Sequence, residues 1–124
     1  MTMPDPNFTN EAETFVAIMA NMAPELRLDF SAESINLLEA FIASRFDPPG
    51  SQFVGESLPV GVGCYVGETI IRTLGGHWTP AGEIHHIGGV EKTFPLAKAH
   101  KRFQNGPADS LAHYYQTIAR YTAV

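Results

Sequence analysis

The stretch Leu58 to Trp78, Leu-Pro-Val-Gly-Val-Gly-Cys-Tyr-Val-Gly-Glu-Thr-Ile-Ile-Arg-Thr-Leu-Gly-Gly-His-Trp, constrains this chain more than any other. Pro59 suits a first helical turn, where its missing N–H has no partner to lose, and Gly75 or Gly76 suits the left-handed residue that ends a helix. Between these signals Val60, Cys64, Gly67, Ile71 and Leu74 recur at steps of three or four, and Val62, Val66, Ile70 and Thr73 fill the adjoining sector. Nearly the whole circumference is therefore apolar or small, as in a helix buried inside a domain. The reading is one buried glycine-rich helix turning sharply into a strand.

The glycines need a reason, because each costs about 1 kcal/mol against alanine in a helix interior. One reading starts the regular helix near Gly63 and leaves Gly61 in the lead-in. The favoured one has Gly63 and Gly67, four apart on one face, admit a neighbouring backbone closely. A phosphate cradle is the alternative, since glycine-rich turns before helices bind anions through backbone N–H groups. The spacing G-x-G-x-x-x-G, the proline upstream and the lack of a following Walker lysine argue against it.

A chain of 124 residues reads as one domain able to bury a single core. The expected class is α+β, with a small antiparallel sheet of about three strands and one Gly-Gly hairpin packed against about five helices. A loose arm over residues 1–8 is expected before a single domain over 9–124. The N-terminus lacks a basic-then-apolar leader pattern, no long apolar run occurs, and the one cysteine, Cys64, falls in the apolar helix. The expected location is cytoplasmic, with no membrane association. The net charge of −5 is uneven, with an acidic front half and a basic stretch from Lys98 to Arg102. Such a balance disfavours nucleic acid as partner. Lys98 to Arg102 is expected to face solvent or acidic helices of the same or a second chain.

In order along the chain, Thr9 or Asn10 is expected to cap a first helix with Phe15, Ile18, Met19 and Met22 as its stripe. Core filling is the expected use of Met19 and Met22, an adaptable binding surface the alternative. Ser31 is expected to cap a second helix from Ala32 to about Arg45, ended by Asp47-Pro-Pro-Gly, with a loop or short helical turn over 51–57. His77 to Thr79 starts the sheet, and Gly88-Gly89 joins Ile84-His-His-Ile87 to Val90-Glu-Lys-Thr-Phe94 as a hairpin. Alternation would put His85, Ile87, Val90, Lys92 and Phe94 on the helix-bearing face, leaving His86 and Glu91 nearer water. Pro95 begins a helix with its lysines and Arg102 outward, and Pro107 begins the last, whose Leu111, Tyr114, Tyr115, Ile118 and Tyr121 form an aromatic stripe.

The motif Tyr65-x-Gly67-Glu68, with Arg72, Gly75-Gly76-x-Trp78, Lys101-Arg102, Asn105-Gly106 and Asp109-Ser110-Leu111, resembles a family of small uncharacterised bacterial domains sharing a Tyr-x-Gly-Glu…Gly-Gly-x-Trp signature. The resemblance runs from about Leu28 to Tyr115. It implies a bacterial origin and an α+β domain, and it hands over no catalytic residues.

The strongest polar constellation is Tyr65, Glu68 and Arg72 on one edge of the central helix, with Trp78 following and His85 on the sheet face expected to meet them. These five are the candidate ligand-binding residues. A carboxylate beside an arginine can orient an imidazole, the arrangement of a general base or an anion site. An internal ion pair fixing helix to sheet is the favoured use of the same residues. No metal and no cofactor are expected. His85 and His86 are adjacent on a strand and would point to opposite faces, barring a shared ion unless a bulge intervenes. No hydrolase or metalloenzyme motif occurs. The expected function is a non-enzymatic binding or protein-interaction module, whose partner is a protein or a second copy of the chain. The alternative is a small-molecule-binding protein or unfamiliar enzyme acting at Glu68, Arg72 and His85.

Overall fold

The central helix sits where its pattern requires. In the computed structural model, which describes residues 7–47, 55 and 57–122, a helix spans Ser57–Leu74 and every residue from Val62 to Ile70 is buried. Each of its glycines lies against a neighbour: a Cβ at Gly61 would stand 2.6 Å from the Phe15 ring, and one at Gly63 2.8 Å from the Leu96 Cα. At Gly67 it would strike the Trp78 indole and stand 3.0 Å from Pro95. Close approach by other parts of the chain is thus what the glycines permit. The helix ends at Gly75 and Gly76, both with positive φ (102° and 95°), and the Gly75 N–H donates back to the Ile70 and Ile71 carbonyls.

Around this rod the described residues form an α+β fold. In chain order come α1 (Phe8–Met22), α2 (Ala32–Phe46), the central helix α3 (Ser57–Leu74), β1 (His77–Trp78), β2 (Ile84–Ile87), β3 (Val90–Thr93), α4 (Pro95–Asn105), a 3₁₀ turn (Gly106–Asp109) and α5 (Leu111–Thr122). The three strands make one antiparallel sheet in the order β1-β2-β3. α3 packs most extensively on α4 and α1, and α2 lies against α5. The core joins Phe15 and Met19 of α1, Ile35, Leu38 and Ile42 of α2, Val62, Val66 and Ile70 of α3, and Leu111, Tyr115 and Ile118 of α5.

Helix starts follow local chemistry. Ser31 caps α2 by accepting from the Ser34 N–H, as expected. α1 begins earlier than its pattern implied: Asn7, not Thr9 or Asn10, is the cap, its side chain accepting from the Asn10 N–H at 2.9 Å. Phe8 is then free to lay its ring on Trp78, 4.8 Å between centroids. Of the expected arm, residues 1–6 lie outside the described residues, as does the loop expected over 51–57 for 51–54 and 56. Pro107 opens the 3₁₀ turn rather than the last helix, and the Ser110 Oγ accepts from the His113 N–H at the start of α5.

The hairpin has the expected register at Ile87↔Val90 and His85↔Lys92, but its core face differs. Ile87 is buried and His86 and Glu91 are exposed as expected, but Ile84 and Thr93 are buried as well, whereas Lys92 and Phe94 are exposed. The cause is His86, whose φ of 62° breaks the alternation of an extended strand and turns both isoleucines, three residues apart, toward the core. Only Gly88 of the turn pair has positive φ (51°), the pattern of a type II′ turn.

A second correction concerns Arg102. Expected outward on α4, it is wholly buried. Its Nε donates to Glu39 Oε2 at 2.8 Å, while Nη1 and Nη2 reach the two Asp47 oxygens at 2.8 and 2.7 Å. Glu39 also accepts from the Leu111 N–H at 2.8 Å, so one carboxylate ties α2 to α4 and to the first turn of α5. The Arg102 hydrogen bonds hold the Asp47 carboxyl below its ordinary range, despite the opposing effect of burial.

Candidate functional site

Tyr65, Glu68 and Arg72 follow one another along α3 at steps of three and four, so they share an edge, and α1 and the entry to α2 lie along it. Glu68 is buried, 5% exposed. Its Oε2 accepts from Thr9 Oγ1 at 2.9 Å and from Trp78 Nε1 at 3.0 Å, and its Oε1 accepts from Arg72 Nε at 3.2 Å. Arg72 passes on to Glu13 of α1 at 3.2 Å and lays its guanidinium over the Phe30 ring, Cζ 3.8 Å from the centroid. Phe30 has a left-handed φ of 62°. Its N–H donates to the Tyr65 hydroxyl at 2.9 Å and its ring stacks on the Tyr65 ring at 4.9 Å. Tyr65 also shares a 2.6 Å hydrogen bond with Ser34 Oγ.

Both Glu68 oxygens therefore already accept charge-assisted or neutral hydrogen bonds from three elements. The arrangement works as a fastener holding α1, α3 and β1 together. Tyr65 does the same between α3 and the start of α2, and burial raises its phenol above the usual range. Cys64, on the same helix, is pushed up to about 11 by burial and by the nearby Glu11 and Glu68 charges, which keeps it a thiol at neutral pH.

His85 stands apart from the other four. Register pairs His77 with His85 and Trp78 with Ile84, and alternation along β1 sets these pairs on opposite faces of the sheet. Trp78 turns inward to Glu68 and Gly67; His85 turns the other way. The partners that complete the fastener, Thr9, Glu13 and Phe30, lie 35 to 59 positions from the residues they bond on α3, and no local pattern ties them to that helix.

A different feature is open to solvent. The C-terminal halves of α1 and α2 and the first turn of α3 enclose a groove of about 370 Å³ walled by Ile18, Met19, Met22, Phe41, Phe46 and Leu58, with Arg45 at its edge. Met19 is buried beneath it, while Ile18 and Met22 are 51% and 74% exposed. The apolar stripe of α1 is wider than α3 can cover, and its outer members are left facing the groove. Arg45 lies over the Phe41 ring at 5.1 Å and forms no ion pair among the described residues. No described helix is long and apolar enough to cross a membrane. Comparison with family models, curated proteins and solved structures finds no match to this chain, so the roles of these residues rest on geometry.

Proposed function

We propose that the chain is a non-enzymatic binding or protein-interaction module that receives apolar side chains of a partner, either another protein or a second copy of itself, in the groove between α1, α2 and α3. One observation carries this reading: Ile18 and Met22 are exposed on the rim of a walled apolar depression, an arrangement typical of recognition surfaces. Methionine suits such a surface, because its unbranched, polarizable side chain adapts to different shapes. A reducing cytoplasmic setting fits the lone buried Cys64, and a bacterial origin is what the resemblance implies.

The alternative, a small-molecule site or unfamiliar enzyme using Glu68, Arg72 and His85, has less support. Glu68 is filled by Thr9, Trp78 and Arg72, and His85 belongs to the opposite sheet face. A photo-crosslinking side chain at Met22, introduced into the full chain and exposed in an extract of the source cells, separates the readings. A stoichiometric adduct, missing when the probe is moved to Gln104 on α4 and lost on Ile18→Glu, is the expected result. No adduct at Met22, together with turnover of a metabolite that depends on Glu68 and His85, would contradict it.

A further inference from the structure

The sheet face turned away from Trp78 carries three histidines. We propose that His77, His85 and His86 bind one divalent transition-metal ion of the zinc class. This stands independently of the groove.

The cluster exists because of one backbone torsion. His77 and His85 are cross-strand partners and so share a face. In a regular strand His86 would point away from them, but its φ of 62° swings it round. The ring centroids are consequently 5.3 Å apart for His77 and His86, 6.0 Å for His85 and His86, and 6.2 Å for His77 and His85. With a metal–nitrogen bond of about 2.0–2.1 Å, two imidazoles on a tetrahedral ion have ring centres roughly 5.2 Å apart. The first pair already matches, and the others need a closure of about 1 Å. As the side chains stand, the described residues hold no group of three or more His, Cys, Asp or Glu placed to take a metal ion, so binding requires the histidine rings to turn. His77 and His86 are exposed, so their rings can turn to meet the ion.

Two further observations point to a ligand. Among the described residues His85 Nε2 is buried and has no hydrogen-bond partner; the Glu83 Oε1 carboxylate oxygen stands at 3.8 Å. An orphaned imidazole nitrogen is a vacant donor to a cation, and the adjacent negative charge favours one. A left-handed torsion on a residue with a Cβ is also costly, and such torsions concentrate at functional sites. Glycine at position 86 would relieve it, yet the residue present is the third imidazole. Neutral imidazole binds zinc, copper and nickel ions in preference to magnesium or calcium. Bound here, the ion would cross-link β1, only two residues long, to β2.

The test is a titration of the full-length chain, free of any histidine tag, with Zn²⁺ against a chromophoric chelator at neutral pH, with Co²⁺ as a spectroscopic substitute. One equivalent should bind. His77→Ala and His86→Ala should each weaken binding by about tenfold or more, while His113→Ala on α5 should leave it unchanged. His86→Gly should melt no lower than the parent without metal and still lose the ion, a split that a purely structural histidine would not give. Co²⁺ should show the visible absorption of a tetrahedral nitrogen site. Failure to bind Zn²⁺ at one equivalent, unaltered affinity in His77→Ala and His86→Ala, or an equal loss in His113→Ala would overturn the proposal.

Discussion

Arg102 shows how much one side chain can decide and how little of that is visible locally. On α4 it follows Lys98 by four positions, and the helical pattern sorts it with the lysines as a surface cation. Its carboxylate partners come from positions 55 and 63 residues earlier; acidic helices of the same chain were one expected neighbour of this basic stretch, but no local signal names Glu39 and Asp47. Glu68, by contrast, was legible with Arg72 as an i, i+4 pair, and its bond to Trp78 only in outline; its Thr9 partner was not. Removing one member of a buried ion pair leaves the other uncompensated, so Arg102→Leu should destabilise the fold by about 3–5 kcal/mol in denaturant unfolding. The pH dependence has a definite sign. The folded-state pKa of Asp47 is depressed below its ordinary 3.8, so its contribution is fully present above that value and is lost as pH falls through the folded one. Acid melting curves of the parent should therefore fall away below about pH 4, and those of Arg102→Leu should fall less steeply there. Identical acid profiles would contradict the pairing.

Elements were easier to anticipate than their faces. Pro59, Gly75 and Gly76 bracket α3, Ser31 caps α2, and Gly88-Gly89 marks the hairpin because each acts within a few residues of itself. The buried side of the hairpin depends on φ at His86, a torsion that histidine does not encode, and so alternation places Ile87, His86 and Glu91 correctly but misplaces Ile84, Lys92, Thr93 and Phe94. The same kink undermines the argument that His85 and His86 must diverge. The glycines of α3 are informative in the other direction: helix propensity marks them as defects, and packing explains them. Gly63 is the most demanding, since the nearest atom to an added Cβ is the Leu96 Cα at 2.8 Å, and a backbone atom cannot step aside as a flexible side chain can. Gly63→Ala should accordingly lower stability by about 1–3 kcal/mol, overriding the roughly 1 kcal/mol that alanine brings to a helix. A melting temperature at or above that of the parent would show that α3 and α4 are not in tight contact.

The molecule as a whole divides its labour between inside and outside. The polar side chains of the interior, Glu68 with Arg72 and Trp78, Tyr65 with Ser34, and Arg102 with Glu39 and Asp47, fasten elements to one another. Among the described residues the surface holds the apolar groove at Ile18 and Met22 and the histidine face of the sheet. The buried helix was readable from composition along its length, whereas the groove and the histidine cluster arise only when distant segments meet. All of this depends on α3 being the protected axis of the fold. Native-state hydrogen exchange tests that most directly. The amides from Val62 to Ile70 should be the slowest in the chain, exchanging only through global unfolding and well behind those of α1 and α5. Exchange of those amides as fast as that of α1 would place the helix at the periphery and contradict the architecture described here.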